Sequence, residues 1–293
     1  MRSLLFVPAD GGNKLDKAFS SGADAVIIDL EDSVAPDRKP AARASAAAFL
    51  KAALARPARP RLLVRVNALP TGLTDADLDA VVPACPDAIV LPKAEGGPTV
   101  VQVDAKLAAR EAAAGIDSGH IKIVAQAIET AAGIFQIGTF RGASARLIGL
   151  TWGPEDLSAE LGAEANRDTD GRLTEPYRLA RSLCLFGAAA AEVAAIETVY
   201  VDFRNLEGLR AETEAARRDG FSARLAIHPA QVPIINEVFT PTPAALAKAR
   251  AVIAAFAATP GTGVVAIDGV MYDQPHLLRA QRLIARAKAA GIA

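Results

Sequence analysis

Short runs rich in β-branched residues and leucine alternate along the chain with longer alanine-rich segments. Eight runs read as strands: Leu4–Val7, Ala25–Leu30, Leu62–Val66, Ala88–Leu91, Ile121–Ile128, Arg146–Leu150, Thr198–Val201 and Leu225–Ile227. Between them, Lys14–Ser20, Pro40–Leu54, Asp75–Val82, Thr99–Ala114, Glu175–Ala194 and Leu206–Asp219 have the composition of helices, since Ala and Leu lose little on entering one. Gly22, Gly115 and Gly220 follow three of these as stop signals, and Thr74 stands where an N-cap would. Strands alternating with helices form βα units and a parallel sheet. Eight of them predict an α/β fold of the (β/α)8 TIM-barrel type. An open doubly wound sheet is disfavoured because neither GxGxxG nor a P-loop occurs.

Residues 1–240 account for this barrel, and residues 241–293 remain as a C-terminal extension. Thr242-Pro243 opens a helix to about Ala258, Pro260-Gly261-Thr262-Gly263 breaks it, Val264–Ile267 reads as a short strand, and a last helix runs from near Pro275 to Gly291. A closed barrel has no free edge for the extra strand. The extension is therefore expected to pack outside the barrel, on its own subunit or on a neighbour.

Composition narrows the class. At 293 residues with 51% apolar types, the chain can bury a large core. Thirty-two basic against thirty-three acidic residues give a net charge of −1, with no basic stripe interleaved with aromatics, so nucleic acid is not an expected partner. No apolar run approaches the roughly 18–20 residues of a membrane span. The opening MRSLLFVPAD is too short for a signal peptide and reads as a strand. Cys85 and Cys184 are isolated, which excludes a Cys-based zinc site and points to a reducing, cytoplasmic setting.

In such a barrel, catalysis belongs to the C-terminal ends of the strands. Those ends carry the charge. The second strand runs into Asp29, Glu31 and Asp32, and period two sets Asp29 and Glu31 on the face opposite Ile28 and Leu30. The third ends at Arg65 and Asn67, the fourth at Lys93 and Glu95, and the fifth at Glu129, on one face with Ala125 and Ala127. The sixth runs into Thr151-Trp152-Gly153-Pro154-Glu155-Asp156, the seventh ends near Asp202, and the eighth at His228. Glu129 and Asp156, from adjacent strand ends, either share a hard cation such as Mg2+ or are first-turn acids of the following helices. Arg65 is either a carboxylate fork held by Asp29, Glu31 or Asp32, or a plain internal ion pair. Lys93 is either a Schiff-base lysine or an ion-pair partner. His228 reads as a strand-end histidine rather than a base, and Trp152 as a pocket floor or a gap filler.

The same residues carry a resemblance. Arg2–Ala9, Gly22-Ala23-Asp24 with Asp29–Val34, Lys39 with Arg43, Arg65-Val66-Asn67, Leu91–Glu95, Glu129-Thr130-Ala131, Gly149–Leu157, Ile227–Gln231 and Asp268–Pro275 together resemble the citrate lyase beta-subunit-like family, which includes malyl-CoA and citramalyl-CoA lyases. The matches run in order from the first residues to the last helix. The resemblance implies Mg2+ (with Mn2+ as a substitute) on Glu129 and Asp156, and Arg65 on the keto-acid carboxylate, helped by the helix start Gly153-Pro154-Glu155 through the backbone N–H groups that follow Gly153. It implies Lys39 and Arg43 near the CoA phosphates, with Asp29, Glu31, Asp32 and Lys93 in support. In relatives Asp273 is the acid/base and reaches the site of an adjacent subunit, which implies a homo-oligomer, a trimer or hexamer. Tyr272 departs from the aliphatic residue that relatives often carry there.

The implied reaction is a reversible cleavage of a 3-hydroxy-3-carboxyacyl-CoA, such as malyl-CoA or citramalyl-CoA, to acetyl-CoA or a homologue plus a 2-keto acid. Rival readings are a malyl-CoA thioesterase, a citryl thioester lyase subunit of a citrate lyase complex, a Schiff-base aldolase using Lys93, and a non-catalytic barrel protein.

Overall fold

The structure is a computed structural model and describes residues 1–292. Eight parallel strands close into a barrel: β1 (Ser3–Pro8), β2 (Ala25–Asp29), β3 (Arg61–Arg65), β4 (Ala88–Leu91), β5 (Lys122–Ile128), β6 (Leu147–Trp152), β7 (Ala194–Glu197) and β8 (Ala223–Ala226). Closure is made by β1 on β8, with Leu4 opposite Leu225. Helices α1 (Asn13–Phe19), α2 (Lys39–Leu54), α3 (Thr74–Val81), α4 (Gly97–Ala114), α5 (Ala131–Gln136), α6 (Pro154–Leu161), α7 (Glu175–Ala190), α8 (Leu206–Asp219) and α9 (Val232–Phe239) surround it.

Alternation along each strand builds two cores. Ala25 and Ile27 of β2, Leu63 of β3, Val90 of β4, Val124 of β5 and Leu225 of β8 fill the interior. Val26, Ile28, Val64, Leu91 and Ala125 point outward and bury themselves against the helices. The strands are covered on both faces, as an all-parallel sheet requires.

The extension forms α10 (Pro243–Ala258), an antiparallel hairpin of β9 (Val264–Ile267) and β10 (Val270–Asp273), and α11 (Gln274–Ala289). It has a small core of its own around Val252, Phe256, Val265 and Tyr272, and its hairpin forms a sheet separate from the barrel. Asp268 and Gly269 turn the hairpin, both with positive φ. No helix among the described residues is long and apolar enough to cross a membrane.

Three expectations need correction. The seventh strand lies at Ala194–Glu197 rather than Thr198–Val201, and the preceding helix stops at Ala190 rather than running on to Ala194. Alanine-rich sequence favours helix locally, but Glu192 takes a left-handed conformation (φ 59°) that ends it, and burial in the barrel holds Ala195 and Ile196 extended. Thr74 is a helical residue instead of the cap; its buried hydroxyl donates to the Asn67 carbonyl. The run Val270–Asp273, for which the sequence pattern predicts no element, is also a strand, paired across the hairpin to Val264–Ile267.

Candidate functional site

Because Ala25 and Ile27 face the interior, the next residues of the same parity, Asp29 and Glu31, stand above it at the C-terminal rim. Arg65 continues the inward parity of Leu63, directly opposite Asp29 in register. Its Nε and Nη2 each donate to one Asp29 oxygen at 2.7 Å, a two-point fork. Its Nη1 lies 2.9 Å from Glu31 Oε2, an ion pair without hydrogen-bond alignment. The guanidinium also stacks over the Phe6 ring, 4.8 Å from its centroid. Burial pushes the Asp29 carboxyl up, but the Arg65 hydrogen bonds and charge, with the hydrogen bonds from Ser33 and the Glu31 N–H, together outweigh it and hold it below the usual range. Two of the three corners of the fork are thus spent on Asp29, and Nη1 is what Arg65 can offer a substrate.

Glu129 reaches the site by a different route. Its supposed facemates Ala125 and Ala127 belong to the outer core, so strict alternation would send Glu129 toward the helices. The pairing of β5 with β6 slips between Gln126 and Ile128, and this bulge re-aims the strand end. Glu129 then accepts from the Gln126 side-chain amide at 2.5 Å and from the Lys93 backbone N–H at 2.7 Å. Gly153, the residue before α6, lies against it: a Cβ there would stand 2.7 Å from Glu129 Oε1. The side chain is 2% exposed. Burial first, and the neighbouring Asp156 charge second, push the Glu129 carboxyl up to about 8.

Lys93 links the two groups of acids. Its φ of 48° is left-handed, uncommon for a residue with a side chain. That turn brings its ammonium to Glu31 Oε1 at 2.7 Å and Asp156 Oδ1 at 3.1 Å, with Asp32 at 3.7 Å. Burial alone would lower the Lys93 pKa; the Glu31 hydrogen bond and the acids around it outweigh burial and raise it. A Schiff-base lysine must be a free amine, and this environment keeps Lys93 protonated. The Schiff-base reading therefore has no support here.

Other expected residues are distributed as follows. Asp156 occupies the first turn of α6, whose Pro154 has no N–H, so the outward N–H groups there belong to Glu155 and Asp156. Glu155 Oε1 accepts from the Asn166 side chain at 2.9 Å. Lys39 donates to the Leu30 and Glu31 carbonyls at 2.9 and 3.1 Å, gripping the end of β2. Arg43 is bound at 2.7 Å to buried Asp77, which also takes Asn67; that pairing makes Arg43 a brace for the rim. Asp202 lies exposed in the loop after β7. His228 accepts from the Ala230 N–H and stacks on Phe203, as a strand-end histidine. Trp152 is fully buried, its Nε1 donating to Glu197 at 2.7 Å.

Asp273 is not in this cluster. It caps α11, exchanging hydrogen bonds with His276, which holds its carboxyl below the usual range. Its neighbours Tyr272 and His276 face Glu192–Ala195 and Gly220–Ser222, the segments that lead into β7 and β8. Those are the N-terminal ends of the strands, opposite the carboxylate rim.

Two contributors had no clear signature in the sequence. Gln126 is offset by three from Glu129, a spacing that strand alternation does not join. Phe6, on β1, reads as an ordinary core residue. The glycine at 153 was visible, but its closeness to Glu129 was not.

A closed parallel barrel that gathers an arginine, a lysine and five acids at its C-terminal rim defines a (β/α)8-barrel enzyme. The sequence profile of the HpcH/HpaI aldolase/citrate lyase family matches residues 2–229, and the chain belongs to that family. It is 38% identical over 292 residues to a (3S)-malyl-CoA thioesterase of Cereibacter sphaeroides, covering 98% of this chain and 95% of the relative. It is 34% identical over 284 residues to a citrate lyase subunit beta-like protein of Mycobacterium tuberculosis, covering 97% and 94%. The crystal structure of protein CitE from Mycobacterium tuberculosis, in complex with magnesium, acetoacetate and coenzyme A, superposes with a TM-score of 0.76 at 34% identity, covering 98% of this chain and all of that one.

Proposed function

We propose that this enzyme cleaves, or in reverse forms, a 3-hydroxy-3-carboxyacyl-CoA such as malyl-CoA or citramalyl-CoA, using Mg2+ held by Glu129 and Asp156. The observation that carries the reading is the condition of Glu129. It is a buried carboxylate beside a second acid, with a pKa pushed up to about 8. A divalent cation offered to this pair would relieve both the burial cost and the mutual repulsion, and an all-oxygen donor set suits Mg2+. The relative solved with magnesium, acetoacetate and coenzyme A supports the same assignment. Bound there, Mg2+ supplies charge neutralisation and Lewis-acid polarisation to the substrate hydroxyl and carboxylate oxygens.

The chain's own residues do the rest. Arg65 Nη1 and the Glu155 and Asp156 N–H groups at the start of α6 bind the carboxylate of the keto-acid portion. Asp29 fixes the Arg65 plane, and Pro154 starts α6 at the position proline favours. Gly153 leaves room for the Glu129 carboxylate. Lys93, kept protonated by Glu31 and Asp156, adds positive charge beside the region where the thioester enolate develops. Lys39 is the stronger contact for the CoA phosphates, while Arg43, tied to Asp77, holds the rim in place. Asp273 moves the proton at the acetyl methyl carbon. Because its own chain carries it near the opposite end of the barrel, it acts in the site of an adjacent subunit of a homo-oligomer, a trimer or hexamer in the cytoplasm.

The test is direct. With malyl-CoA or citramalyl-CoA and Mg2+, glyoxylate or pyruvate should appear, and EDTA should abolish it. Full activity in EDTA would remove the metal from the mechanism. Release of free CoA with intact malate would favour the thioesterase reading, which the 38% identity to such an enzyme supports. Turnover only with a co-purified acyl-carrier partner would favour a citrate lyase subunit.

A further inference from the structure

Away from the rim, a cleft of about 1170 Å³ separates the extension from the barrel. Arg217 and Arg218 enter it from the last turn of α8, Lys248 from α10, and Arg279, Arg282 and Arg286 from successive turns of α11. Spacings of three and four keep the last three on one helix face. Among the described residues, none of the six has a carboxylate oxygen within 4.0 Å. Elsewhere among the described residues most arginines are paired, Arg2, Arg59, Arg65, Arg146, Arg181 and Arg224 among them, and those without a salt bridge (Arg61, Arg141, Arg204 and Arg250) do not share a cleft. Two acids also line the cleft, Glu192 and Asp219, and Asp219 is already bound by Arg181 at 2.8 Å.

The ends of a helix explain part of this. Arg217 and Arg218 offset the negative end of the α8 dipole. Arg286 does the same in the last turn of α11, but the dipoles do not explain why Lys248, Arg279 and Arg282 come to the same concavity. Partial enclosure first, and the Arg217 charge second, pull the Arg286 guanidinium below its ordinary pKa. The walls between the cations are apolar, from Leu185, Val252 and Leu283.

We infer that this cleft is a binding site for a small polyanion with two or more phosphates on an apolar or aromatic body, of the nucleoside di- or triphosphate class. Arginine forks match phosphate oxygens, the cleft volume fits a ligand of that size, and the apolar wall would take the body. Such a ligand would bridge α8 to α11 and so tie the extension to its own barrel. The assignment stands or falls independently of the reaction proposed above.

The test is calorimetric titration of the full-length oligomer with sodium tripolyphosphate, ATP and free CoA. ATP and tripolyphosphate should bind, and Arg217→Gln with Arg286→Gln should weaken both at least tenfold. Arg250→Glu, on α10 but outside the cleft, should leave them unchanged. In hydrogen exchange, ATP should protect α11 and the end of α8. CoA binding that ignores the double substitution while ATP responds to it would place the two ligands at separate sites, as expected. No binding of ATP or tripolyphosphate, or equal weakening by Arg250→Glu, would overturn the inference. So would protection of α11 in the ligand-free oligomer to the level seen with ATP, which would mean that a neighbouring subunit fills the cleft. Circular dichroism and melting curves of the double variant distinguish lost binding from lost folding.

Discussion

Two buried ionic clusters sit at opposite ends of the same strands. At the N-terminal end, Arg146 is 4% exposed and donates to both oxygens of Glu111 at 2.7 Å, to Asp104 at 2.5 Å and to the Ile121 carbonyl at 3.1 Å. Glu111 takes two backbone N–H groups as well, from Gly119 and Ile121. Burial pushes Glu111 up, but the Arg146 hydrogen bonds, the two backbone N–H groups and the Arg146 charge together outweigh it and its pKa falls. At the C-terminal end, Glu129 is as deeply buried, yet it makes no salt bridge among the described residues, the Asp156 charge acts against it, and burial with that charge raises its pKa to about 8. A complete ion network holds a fold together, whereas an incomplete one at the catalytic end of a barrel leaves capacity for a ligand.

The largest effect is expected at the incomplete cluster: Glu129→Gln should lower kcat by about 10³-fold and abolish metal dependence. In EDTA the melting temperature should hold near neutral pH, where the Glu129 carboxyl is largely protonated and Gln replaces it nearly isosterically, and exceed that of wild type above pH 8. A variant that kept activity, or that unfolded, would erase the contrast. At the complete cluster the outcome should invert. Glu111→Ala strands the Arg146 charge and should cost about 3 kcal/mol in urea unfolding, while activity per folded molecule is retained. Loss of activity without loss of stability there would contradict the assignment of that end to structure.

Smaller effects refine the picture. Gly153→Ala has an unstrained backbone, with φ −128°, but places a Cβ 2.7 Å from Glu129 Oε1. It should reduce Mg2+ affinity and kcat by about tenfold, read by titration against steady-state rates. The last effect is of pH. Folded Glu129 titrates near 8, against an ordinary 4.5. Between these values the folded chain holds more protons than the unfolded one, so this group's contribution is complete below about 4.5 and lost as pH rises through 8. In EDTA the wild-type melting temperature should therefore fall across that window relative to Glu129→Gln, and Mg2+ should flatten the difference. Parallel curves in EDTA would show that Glu129 is already ionised without metal.

Legibility followed the range of the interactions. Alternation in β2 and β3 placed Asp29, Glu31 and Arg65 correctly, because each strand there is regular and its apolar half must be buried. It misdirected Glu129, whose position depends on a bulge that β5 makes against β6. It also misplaced β7, where an alanine-rich segment had no local reason to leave helix. Arg43 looked like a phosphate contact, and only the meeting of α2 with α3 commits it to Asp77.

By itself the chain's pattern determined a closed eight-stranded α/β barrel, an extension that could not join it, and the end at which chemistry would gather. Those outcomes rest on periodicity and closure, which neighbouring residues encode. Only the tertiary structure decided that Lys93 would bridge Glu31 and Asp156, that Glu129 would make no salt bridge among the described residues, and that six cations would face one cleft. Such outcomes depend on distances between groups far apart in the chain, and it is distance and burial together that set the energy of a charge.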